Sequence, residues 1–72
     1  MNSDQIQETA QQIKDLNAKA LKLTLKLENE IEVNELISEE HVNAFLTHID
    51  RAIRAEQDTN RAINQVMIIA RN

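Results

Sequence analysis

His41 and His48 are the side chains in this sequence best suited to acid–base or metal chemistry. They stand seven residues apart, two turns along one helical face. Two ligands of one metal ion on a helix stand instead at i and i+3 or i+4. The Glu-x-x-His unit of carboxylate-bridged metal bundles does not occur. Nucleophilic catalysis needs an activated side chain beside a base, in a pocket that excludes water. The chain has no Cys and no Tyr, and its serines, Ser3 and Ser38, both fall where a helix cap is expected. Without glycine there is no phosphate-cradling loop. These residues predict no catalytic, cofactor or metal site, and a protein that is not an enzyme.

The charged residues offer a second kind of chemistry. Lys19, Lys22 and Lys26 line one side of the first half, and Arg51, Arg54 and Arg61 one side of the second. If those stripes met across a dimer they could follow the phosphates of an RNA helix. Asp15, Asp50 and Asp58 stand beside them at ion-pair spacing, and the net charge is −4. Solvated, self-compensated faces are therefore expected, and no nucleic acid partner. Glu28, Glu30, Glu32, Glu35, Glu39 and Glu40 form a stretch without a basic residue. They either keep a turn solvated or steer a basic partner.

The elements that carry these residues read as two helices. Apolar side chains at Ile6, Ala10, Ile13, Leu16, Ala20, Leu23, Leu27 and Ile31 step by three and four, drawing one helical stripe. The alternation Leu21, Leu23, Leu25, Leu27 could suit a strand, but the run has few β-branched or aromatic residues and no flanking turn. A second stripe runs through Val42, Phe45, Ile49, Ala52 or Ile53, Ile63, Val66 or Met67, and Ala70. Asn2 (with Gln5 in a capping box) or Ser3 can start the first helix. Ser38 can cap the second, with Glu39 and Glu40 at its positive end and Ile37 stapled against Val42. The expected fold is all-α, a single-domain antiparallel hairpin with helices over about 3–35 and 39–70, broken near Leu36–Ser38. That hairpin sets Ile31 near Val42, Leu27 near Leu46, Ala20 near Ile53, Ile6 near Met67, and Asn17 near Glu56 and Asn60. The last level is either a polar layer that fixes register or a place where the helices face water.

One hairpin needs one apolar face per helix, and this chain has more. Leu21 and Leu25 point roughly 100° from the first stripe, and Val66, Met67, Ile68 and Ile69 sweep around the second helix. With 72 residues and no cysteine, a partner chain is the one remaining staple for so small a core. The partner is a second copy, giving a homo-oligomeric bundle, or a different protein; Leu21, Leu25, Ile63, Val66, Met67, Ile68 and Ile69 are its expected contacts. No run is long enough to span a membrane and no signal-peptide order opens the chain, so the expected location is the cytoplasm.

The closing segment Ala62-Ile63-Asn64-Gln65-Val66-Met67-Ile68-Ile69 resembles the last helix of the small co-chaperones of type III secretion needle subunits. The resemblance implies a bacterial cytosolic hairpin that forms a heterodimer with a larger helical-repeat chaperone and keeps the needle subunit soluble and unpolymerised. Ile63, Val66, Met67, Ile68 and Ile69 would then touch the chaperone. Two alternatives stand beside it. One is a homodimeric four-helix bundle resembling the plasmid RNA-binding regulator Rop. The other is a phage-type small inhibitor, similar in its ending Ile69-Ala70-Arg71-Asn72.

Overall fold

The computed structural model describes residues 3–71, which form two helices, α1 (Ser3–Glu32) and α2 (Glu39–Arg71). They pack against each other into a rod 54 Å long and 15 by 11 Å across. No strand occurs among the described residues. The all-α hairpin expected from the sequence is the observed fold.

α1 stops three residues short of its expected end. Glu28, Glu30 and Glu32 crowd its last turns with no basic residue to offset the negative end of the dipole. Asn34 then turns the chain: its side-chain oxygen accepts from the Leu36 amide at 2.9 Å. This Asx turn does the work commonly left to glycine or proline, without a positive φ among the described residues. The start of α2 follows the sequence reading. Ser38 Oγ accepts from the His41 amide at 3.3 Å, and the Ser38 carbonyl accepts from the Val42 amide at 2.9 Å. Ser38 is thus the N-cap, followed by Glu39 and Glu40 in the first turn. Asn2, a candidate for starting α1, lies outside the described residues.

Two side chains report the register. Gln7 Nε2 donates to the Met67 carbonyl and Asn17 Nδ2 to the Glu56 carbonyl, both at 2.7 Å. Ile6 therefore lies level with Met67, and Asn17 with Glu56, as the spacing predicts. The same register carries Leu21 opposite Ile53 and Ile31 opposite Val42.

The line of α1 that faces α2 differs from the expected one. Ile13, Leu16, Ala20, Leu23 and Leu27 are exposed. The helices meet instead along Gln7, Ala10, Lys14, Asn17, Leu21, Thr24, Glu28 and Ile31, every member buried or half-buried. On α2 the matching line runs through Val42, Leu46, Ile49, Ile53, Glu56, Ile63, Met67 and Ala70, while Phe45 and Val66 are exposed. The alternating three- and four-residue steps, interrupted on α2 at exposed Asn60, are those of a coiled-coil seam. Gln7, Asn17, Thr24 and Glu56 among its polar members are held by hydrogen bonds across the pair. Side chains on a helix lean toward its N-terminus, so the Glu56 carboxylate reaches toward the turn and accepts from Thr24 Oγ1 at 2.8 Å. Leucines on the neighbouring line would leave these donors without acceptors on α2.

Candidate functional site, an open apolar face

With the seam assigned, each helix keeps a second apolar line beside it. Residues seven apart on a helix drift only about 20°, so Ile6, Ile13, Ala20 and Leu27 form one row of α1, with Leu16 and Leu23 alongside. Leu16 and Leu23 are about two-thirds exposed, at 65% and 66%. On α2, Phe45, Ala52, Thr59 and Val66 form one such row and His48, Ala55, Ala62 and Ile69 the next. A groove of about 430 Å³ brings the two helices' lines to the same side of the rod. Its walls include Ile6, Thr9 and Ile13 from α1 with Ile63 and Val66 from α2. A smaller, wholly apolar recess continues it between Ile6, Val66, Ile69 and Ala70.

The face carries large apolar side chains along α1 and, on α2, Ala52, Ala55 and Ala62 between Phe45 at one end and Val66 and Ile69 at the other. Thr59, near the middle of the α2 row, donates to the Ala55 carbonyl at 2.9 Å, so its hydroxyl can be covered by apolar atoms without being stranded; Thr9 and His48 are other polar side chains of the face. The opposite side of the rod is polar. There a cleft is lined by Asn17, Gln57, Asn60 and Arg61, and another by Gln11, Lys14, Asn64 and Arg71.

The side chains expected to touch a partner are divided by this geometry. Val66 and Ile69 (70% exposed) belong to the open face, and half-buried Ile63 forms its floor. Met67 is buried, at 8% exposure, and Leu21 is half-buried; both belong to the seam between the helices rather than to open surface. Ile68 and Leu25 are exposed but on the polar side, Ile68 beside Gln11 and Arg71, and Leu25 in register with Gln11 and Ala18 at seven-residue spacing. Ile13, Leu16, Leu23, Leu27 and Phe45 join the face although the sequence reading puts them inside the hairpin. The signal that separates the two lines is the coiled-coil spacing of polar residues at 7, 14, 17, 24 and 28, of which Gln7, Asn17 and Thr24 pair with Glu56 and the α2 backbone.

Electrostatics adds little at the site. Arg54 pairs with Asp50 at 3.0 Å and Arg61 with Asp58 at 3.5 Å, all four exposed, so each pair contributes about 0.3–0.5 kcal/mol. Asp15 accepts from Gln11 at 3.0 Å and, among the described residues, makes no ion pair with a lysine, so the compensation expected for the lysine stripe is not observed there. Glu56 is the less settled carboxylate. Its Oε1 shares the single Thr24 hydroxyl proton with the Ala20 carbonyl, 2.9 Å away, and its buried Oε2 has no partner. The polar level at Asn17 thus consists of Asn17, Thr24 and Glu56, while Asn60 is exposed.

His41 and His48 are exposed. Among the described residues no group of three or more His, Cys, Asp or Glu side chains could hold a metal ion, and no helix is long and apolar enough to cross a membrane. Compared with known proteins, the chain matches no family model, no curated protein and no solved structure.

Proposed function

We propose that this protein is a non-enzymatic interaction module that accepts helices along its open apolar face. The observation that carries the reading is the exposure of Ile13, Leu16, Leu23 and Leu27 in one line with a coiled-coil step. Such a line is what a helix in a bundle presents to a second neighbour. Between Ile6 and Leu27 it spans about 32 Å at 1.5 Å per residue, the length of an ordinary docking helix. Contiguous apolar surface on this scale marks an association site.

Within that reading, the resemblance of residues 62–69 to the needle co-chaperones makes a helical-repeat chaperone, held together with the needle subunit, the alternative occupant to a second copy of the chain. Val66 and Ile69 on the open face, with Ile68 exposed on the other side, are the large apolar residues of that segment available to such a chaperone.

The test is association of the full chain, with itself or with a helical-repeat needle chaperone, followed by sedimentation. Leu16→Lys with Leu23→Lys abolishes it on this account, and Leu25→Lys on the polar side does not. A chain that stays at 8.3 kDa at every concentration, and binds no nonpolar fluorescent dye, has no working face and refutes the reading.

A further inference from the structure

We infer that the open face is covered by a second copy of this chain, in an antiparallel four-helix bundle with the acidic turns at opposite ends. The inference rests on the interaction-module reading and names the occupant. Four features of the rod support it.

The first is extent. The apolar lines run about 32–36 Å at 1.5 Å per residue and, over the 15 Å width of the rod, offer on the order of 500 Å² per copy, about 1,000 Å² for the pair, the size at which a specific interface begins. The second is length: a line that runs most of the rod needs a neighbour equally long, and a second hairpin supplies two such helices. The third is centring. The apolar line on α1 runs from Ile6 to Leu27 and that on α2 from Phe45 to Ile69, so their midpoints fall near Leu16 and Gln57. The register set by Asn17 and Glu56 puts those midpoints at one level. A two-fold axis through that level lays apolar surface on apolar surface along the whole face, which is the isologous contact a closed dimer requires. α1 then packs leucine on leucine against its copy. Ala52, Ala55 and Ala62 allow the two α2 helices to approach closely.

Charge chooses the direction. The turn end carries Glu28, Glu30, Glu32, Glu35, Glu39 and Glu40 without a basic residue. Parallel stacking would set two such ends side by side, and like charges across an interface are unfavourable. Antiparallel stacking sets each over the other copy's open end, where Lys14, Arg61 and Arg71 offset all but one of the charges of Asp4, Glu8, Asp15 and Asp58.

Sedimentation of the full chain at about 50 µM, a regime where association dominates mass action for micromolar dimers, is expected to give twice the 8.3 kDa of one chain. Leu16→Lys with Leu23→Lys is expected to weaken the dimer about 100-fold or more, and Leu25→Lys to leave it intact. The chain has no cysteine, so Glu35→Cys in the exposed turn takes one spin label per copy and keeps the test available if the lysine variants fail to fold. Labels separated by close to the 54 Å length of the rod support the antiparallel dimer; labels side by side overturn it. A monomer, a trimer or a larger species overturns the second-copy assignment. If that monomer binds a nonpolar dye, and the two lysines abolish the binding, the face is real and a foreign helix covers it. If no dye binds, the module reading falls as well.

Discussion

Two lines of side chains run side by side along α1. The line turned to α2 carries Gln7, Lys14, Asn17, Thr24 and Glu28 among Ala10, Leu21 and Ile31; the line beside it carries Ile6, Ile13, Leu16, Leu23 and Leu27. The more polar line is inside the hairpin and the more apolar one faces out. In a self-sufficient protein burial would run the other way, because apolar area removed from water is the dominant favourable term. In a hairpin that is half of a larger bundle, both lines end up covered. The polar seam then sets the register of the pair through directional hydrogen bonds, and the apolar face supplies most of the stabilisation on association. Among the described residues, the four buried hydrophobic side chains, Ala10, Ile31, Ile49 and Met67, are a small core for two helices of 30 and 33 residues.

The contrast can be broken most directly on the face. Leu23→Ala is expected to cost about 2–5 kcal/mol in the associated state, as buried leucines do, and under about 0.5 kcal/mol in the isolated chain. Denaturant midpoints measured across a range of protein concentrations separate the two; a cost independent of concentration would mean Leu23 is already buried within one hairpin. At the turn, Ser38→Ala removes the cap of α2 and is expected to cost about 1 kcal/mol, the same at every concentration. In the seam, Glu56→Met replaces a carboxylate with a buried, unpartnered Oε2 by an apolar side chain. Thr24 keeps the Ala20 carbonyl as acceptor, so unfolding should shift up by about 1 kcal/mol, some 4–8 °C in Tm. A lower Tm would show that the Thr24–Glu56 contact holds the seam. Smallest is Asp50→Asn, which removes the exposed pair with Arg54 and is expected to cost at most about 0.5 kcal/mol, less in high salt.

Much of the architecture was legible because it depends on local rules. The absence of glycine and proline, the Ser38-Glu39-Glu40 start and the three-and-four spacing lead to two helices and one turn. Counting back from that turn places Asn17 at Glu56 and Ile6 at Met67, where the hydrogen bonds of Asn17 and Gln7 put them. The end of α1 was less legible, since carboxylates in a last turn weaken a helix by amounts that spacing does not reveal. The inner line was misassigned for a general reason. Periodicity finds the most apolar stripe, and that stripe faces the core only when the chain has no other surface to fill. Two lines about 100° apart are both three-and-four patterns, and only the partners on α2 distinguish them. Met67 and Val66 show the same ambiguity one residue apart: Met67 is taken by the seam and Val66 by the face.

The central claim is that the Leu23 line, and not its neighbours, is covered by another helix. Because the chain has no cysteine, Leu23→Cys and Leu25→Cys each introduce a single thiol, one on the face and one on the polar side. Their rates of labelling by a water-soluble thiol reagent should diverge as protein concentration rises, with Leu23→Cys slowing by about 10-fold or more as the associated fraction grows and Leu25→Cys unchanged. Equal rates at the two positions at every concentration would contradict the account.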